Sequence, residues 1–189
     1  MRELEFVERT RKYYKRKPLP KKYIITGYLL VLALLVFTLI TKNKFILFLF
    51  ITLLATIVNY QTNLPTIRFN PDPEVFGSLF ITRFIGLHYG LFMLIVPICF
   101  VDIYTARLDK DTFISLIFSI IINYIMSKSN WPFMVLGIIL VTTRFVLSVI
   151  LGFLVGTSIE EIVFEHVLGF LSNIVMFLTL SNLFISLFI

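Results

Sequence analysis

The chain has 189 residues, 58% hydrophobic and 16% aromatic, with a mean hydropathy of +0.94; soluble domains average about 45–50% apolar, so a water-soluble globule is excluded. Its net charge of +6 resides wholly in residues 1–22, where Arg2, Arg9, Arg11, Lys12, Lys15, Arg16, Lys17, Lys21 and Lys22 face Glu3, Glu5 and Glu8; the remainder balances at eight basic against eight acidic residues. The alkaline pI therefore makes no case for nucleic acid, and one cysteine, Cys99, excludes an internal disulfide and a Cys-rich metal site.

Residues 1–22 read as a basic segment, expected on the cytoplasmic side by the positive-inside rule and able to lie against anionic headgroups. No cleavage site of small residues follows a short apolar core, so the first span is expected to be retained. Residues 23–189 read as one transmembrane helical bundle of the cell membrane. Apolar segments run over Tyr23–Ile40, Phe45–Tyr60, Val75–Val101, Phe113–Met126, Phe133–Val155 and Ile162–Ile189. A span takes about 20 helical residues, which predicts an all-α, multi-pass bundle of six helices. The third segment would be about 40 Å long as one helix, against a core of about 30 Å, so it tilts or breaks near Gly86–Gly90, giving seven. Loop charges favour seven slightly, because that count puts Arg68, Arg107 and Lys110 on the inner side.

Between the second and third segments, QTNLPTIRFNPDPE holds Pro65, Pro71 and Pro73, which preclude a regular helix. Leu64, Asn70 and Asp72 precede prolines and are expected to be extended. The loop reads as a stiff connection or as a lid. DIYTARLDKD reads as a solvated loop, with Asp111 or Thr112 capping the next helix. SKSNWP places Trp131 as an interface anchor before a helix start at Pro132.

Two arginines lie inside apolar runs, Arg83 in GSLFITRFIGLHYGLFMLIV and Arg144 in FMVLGIILVTTRFVLSVILGF. A guanidinium at mid-membrane costs at least about 2.5–3.5 kcal/mol, so each must find an anion, a carbonyl or water. Helical phase puts Leu79, Arg83, Gly86, Gly90 and Pro97 on one face if the third helix is continuous. It likewise aligns Thr112, Ser115, Ser119, Asn123 and Ser127 on the fourth segment, and Gly137, Arg144, Ser148, Gly152 and Gly156 on the fifth. Gly86 with Gly90 and Gly152 with Gly156 have the spacing that lets helix backbones approach closely. On the last segment Glu161, Glu165, Gly169, Ser172, Met176 and Thr179 share an arc, with His166 and Asn173 on a neighbouring line. Glu160 and Glu161 suit the positive end of that helix; Glu165 lies deeper, where pairing with Arg83 or Arg144 is its most economical role.

These stripes predict a pocket lined by Arg83, Asn123, Arg144, Glu165, His166 and Asn173. Two arginines against one deep glutamate leave a positive surplus that an anion would neutralise. The leading expectation is thus a solute-binding or transport subunit for a small polar or anionic solute; the alternative is a non-catalytic membrane scaffold in which the arginines form structural pairs and a second membrane chain docks. A third, intramembrane metal-dependent hydrolysis, arises because EEIVFEH resembles the paired-glutamate motif of CPBP-type (CAAX) membrane proteases, with Phe84 and His88 giving FxxxH. Glu165 stands where that family has a basic residue, and FxxxH precedes rather than follows. No phosphate-cradling, Ser-nucleophile, HExxH or Cys-pair signature is present, so no catalytic residue, resident metal or cofactor is expected.

The proline loop at Asn63–Glu74, the short apolar helix at Val75–Leu87, the break at Gly86–Gly90 and the helix Leu91–Asp102 ending in an acidic loop resemble, in order, the S components of energy-coupling-factor transporters and, more distantly, the MreD-like membrane proteins. The resemblance covers residues 45–189. It implies a binding pocket among the late helices beneath the early loop; the small-residue AxxxA motif by which S components meet their coupling partner is missing.

Overall fold

A computed structural model describes residues 19–62, 71–105, 110–156, 159 and 162–188. Among these residues there are seven α-helices and no strand: α1 (Lys21–Thr41), α2 (Lys44–Thr62), α3 (Pro73–Phe84), α4 (Leu87–Thr105), α5 (Lys110–Lys128), α6 (Phe133–Val155) and α7 (Leu168–Phe188), the last entered through a π-helical turn at Ile162–Val167. α1, α2, α4, α6 and α7 are each long and apolar enough to cross a membrane, and α5 contributes a shorter apolar helix. The chain is an all-α, multi-pass membrane bundle.

The long third segment divides as its length requires. α3 ends at Phe84 and α4 starts at Leu87, with Gly86 at φ 150° between them, a conformation open to glycine and strained for other residues. Arg83 is therefore not on one continuous helix with Gly90 and Pro97, contrary to the face drawn through all of them. α3 and α4 instead fold back as a tight hairpin. A Cβ on Gly90 would lie 1.8 Å from Thr82 Oγ1 and 2.7 Å from the Ser78 carbonyl oxygen, so only glycine permits this approach.

Two faces of the bundle follow from contacts at its ends. Leu19 N donates to Tyr60 Oη, and the Tyr60 and Tyr104 rings lie 6.0 Å apart, gathering the start of α1 with the ends of α2 and α4. We call this the amino-terminal face. On the opposite face Lys44 Nζ donates to Phe84 O, and Arg83 donates to the carbonyls of Ser129 and Trp131 in the α5–α6 turn.

α3 is the packing centre. Val75, Phe76, Leu79, Phe80 and Ile81 are all buried, and Phe76 and Phe80 interlock edge-on with Phe133 and Phe184. Its 12 residues rise only about 18 Å, so it cannot cross a core of about 30 Å. A half-length helix is viable in a membrane when protein surrounds it, which is how α3 lies. The outer helices show the complementary pattern: Leu29, Ile40, Phe100, Ile103 and Leu154 point outward, fit for lipid tails. Trp131 is exposed just before α6, which starts after Pro132.

Replacing Gly90 with valine is expected to lower the melting temperature by several degrees, consistent with about 1–3 kcal/mol for overpacking. At Gly27 an added Cβ meets only the Ile57 side chain, its terminal Cδ1 at 3.0 Å and Cγ1 at 3.7 Å, so Gly27→Ala should leave thermal unfolding of the detergent-solubilised protein nearly unchanged.

Candidate functional site

The first turn of α3 sits deep in the bundle. Asp72 precedes it with φ 47° and ψ 46°, a left-handed conformation rather than the extended one expected before Pro73; aspartate tolerates this region better than most residues. Leu64 and Asn70, which carried the same expectation, lie outside the described residues. Pro73 then opens the helix, where its missing N–H costs nothing.

The depth follows from helix lengths. Arg144 lies eleven residues beyond Phe133 and Asn173 fifteen before Phe188, about 16 and 22 Å from the opposite face. Both reach the start of α3, itself about 18 Å from that face. Arg144 Nη1 donates to Asp72 Oδ2 at 3.0 Å in a buried ion pair, and Nη2 donates to Ser115 Oγ. Asn173 Nδ2 donates to Asp72 O at 3.3 Å, Pro71 O at 3.5 Å and Gly169 O at 2.9 Å. Residues from α5, α6 and α7 thus converge on one turn of backbone near mid-depth.

Two further carboxyls belong to this cluster. Glu74 is 2% exposed and feels the charges of Asp72, Arg144 and Asp102. Asp102, on α4, accepts from Thr112 Oγ1 at 3.4 Å. Four buried side-chain atoms here have no hydrogen-bond partner: Glu74 Oε2, Asn173 Oδ1, Arg144 Nε and Ser148 Oγ. Buried polar atoms are almost always satisfied; elsewhere among the described residues Thr52 Oγ1 and Ser119 Oγ share this state singly, whereas here four such atoms belong to neighbouring residues.

The residues expected to line a pocket divide into separate groups. Arg144 and Asn173 meet at the start of α3. Asn123 lies one layer nearer the opposite face, where its carbonyl oxygen accepts from Thr82 Oγ1 at 2.6 Å and its amide donates to Ser78 Oγ and Ser119 O. Both amide N–H groups are thereby engaged, which ties α3 to α5. Arg83 donates to two carbonyls at the opposite face, from Nη1 to Ser129 O and from Nη2 to Trp131 O at 3.0 Å, with the negative end of α5 adjacent. His166 is half-buried in the π-helical turn. The Glu165 side chain, Glu160 and Glu161 lie outside the described residues. The carboxylate found on Arg144 is that of Asp72, and Arg83 has carbonyls, so the positive surplus inferred from one glutamate does not describe this cluster.

The two histidines of the metal-hydrolase reading lie apart. His88 starts α4 at the opposite face, whereas His166 precedes α7 at the amino-terminal face. Among the described residues no group of three His, Cys, Asp or Glu could hold a metal. Asp72, Glu74 and Asp102 are the members that sequence reasoning missed. For Asp72 and Glu74, two acids flanking a proline at a helix start were the only signal, and a loop reading absorbed it.

No family model, curated protein or solved structure matches the chain.

The two arginines should respond differently to substitution. Arg144→Gln takes the guanidinium away from the buried Asp72 carboxylate and is expected to cost about 3–5 kcal/mol. Arg83→Gln removes only bonds to carbonyls at a partly exposed face, with an expected loss below about 2 kcal/mol. Thermal unfolding of the two variants side by side measures the difference.

Proposed function

We propose that this chain is a membrane-embedded solute-binding or transport subunit for a small polar solute, with its site at the mid-depth start of α3. One observation carries the reading: a half-length helix begins inside the bundle, and buried side chains from α3, α6 and α7 leave four polar atoms there without partners. Discontinuous helices with polar groups near the bilayer midplane are how many transporters build solute sites. Functional polar groups are also the usual reason for placing ionisable residues at such depth. The resemblance to S components implies the same role, a binding subunit whose energy supply belongs to another chain.

Orientation follows in the same proposal. α1 starts at the amino-terminal face, and the sequence up to residue 22 holds nine of the seventeen basic residues. The amino-terminal face is accordingly cytoplasmic, in the cell membrane.

The Arg144–Asp72 pair at 3.0 Å favours a second reading, a scaffold subunit in which the cluster only holds α3 in place. Access by water separates the two. In a Cys99→Ala background, Ser148→Cys in native membranes should react with a small membrane-impermeant methanethiosulfonate at least about tenfold faster than Leu140→Cys, a buried position on the same helix. A solute site must open to one face. No reaction at position 148 from either side, together with copurification of a second membrane chain, would establish the scaffold instead.

A further inference from the structure

The four unpartnered atoms differ in chemistry, and the difference specifies a ligand. The Asn173 amide cannot be reversed: its nitrogen faces three carbonyl oxygens, those of Pro71, Asp72 and Gly169, so the atom left over is the acceptor Oδ1. In its ionised form Glu74 offers Oε2 as a second acceptor, on a carboxyl to which the guanidinium gives no hydrogen bond, because Arg144 gives Nη1 to Asp72 and Nη2 to Ser115. On α6 the remaining atoms are Arg144 Nε, a donor, and Ser148 Oγ one turn on, which can donate or accept. Glu74 and Asn173 are 2% and 0% exposed, so water at the surface does not meet these needs.

We propose that the solute taken by this site is a small primary amine in its ammonium form with an uncharged oxygen acceptor beside it, as in a 2-amino alcohol. The ammonium donates to Glu74 Oε2 and Asn173 Oδ1, and its charge holds the buried Glu74 carboxyl in the ionised form. The neighbouring oxygen accepts from Arg144 Nε and Ser148 Oγ. This rests on the solute-site reading above and narrows it.

Other classes fit less well. An anion adds charge beside Glu74 while Arg144 is already committed to Asp72. A zwitterion brings a carboxylate for which no second cation is at hand among the described residues of the cluster. A quaternary amine has the charge but no N–H for the two acceptors. A bare metal ion would need a set of ligands that the described residues do not form.

The test uses the full chain, purified in detergent, with thermal unfolding followed in ethanolamine hydrochloride, choline chloride, sodium acetate or sodium chloride at matched ionic strength and pH 7. Ethanolamine should raise the melting temperature saturably by several degrees above sodium chloride, and choline and acetate should not. Glu74→Gln should abolish the shift, Ser148→Ala should raise the half-saturating ethanolamine concentration about tenfold, and Thr52→Val, on α2, should leave it intact. The proposal fails if choline matches ethanolamine, if acetate gives the shift, or if both Glu74→Gln and Ser148→Ala retain the full response. Failure of the ligand class is distinguishable from failure of the site: a reactive Ser148→Cys without an ethanolamine shift removes the amine and keeps a solute site, whereas a sealed Ser148→Cys removes both.

Discussion

The placement of α3 depends on the ion pair between Asp72 and Arg144. A helix of 12 residues that begins inside a membrane bundle places its first turn, with the positive end of its dipole, where little water reaches. Asp72, immediately before that turn, brings negative charge to it. Arg144, eleven residues into α6, needs an anion at the same depth. Each solves the other's problem, and Asn173 secures the carbonyls of Pro71 and Asp72 from a third side. Without the pair, two buried charges and a helix end would lose the opposite charge that each now has beside it.

The packing around α3 is consistent with that anchor. Its apolar residues enter the phenylalanine cluster of α6 and α7, and its polar residues Ser78 and Thr82 face Asn123 of α5. Its close approach to α4 at Gly90 fixes the hairpin, and its far end is held by Arg83 on the α5–α6 turn and by Lys44 on Phe84. The two membrane arginines thus hold the two ends of one short helix. Arg144 does so at mid-depth with a carboxylate, and Arg83 at the opposite face with carbonyls. Of these two ends, the mid-depth one gathers the polar atoms without partners among the described residues, which is why the candidate site is assigned there.

Much of the architecture was legible because lipid imposes simple rules. The start and end of α6, Phe133 and Val155, coincide with the apolar run, and the third segment was too long for one span and broke at Gly86. What sequence could not supply was pairing across distance. Arg144 finds its carboxylate 72 positions earlier, in a proline-rich stretch that reads as a surface loop, because depth is set by where the chain re-enters the bundle and not by local hydropathy. Arg83 looked equivalent to Arg144, yet it lies one residue from the end of α3, where carbonyls of a neighbouring turn are within reach. Asn123 had the right phase for a pocket, but phase reports only that a residue faces inward. Its partners on α3 decide that it fastens helices together.

A double-mutant cycle on Asp72→Asn and Arg144→Gln, read by thermal or denaturant unfolding of the purified protein, tests the anchoring pair most directly. If the two side chains stabilise the start of α3 jointly, the double variant will be about as stable as either single one, with a coupling energy of at least about 2 kcal/mol. Additive losses, with coupling within about 0.5 kcal/mol of zero, would contradict the account, because α3 would then hold its depth without the pair.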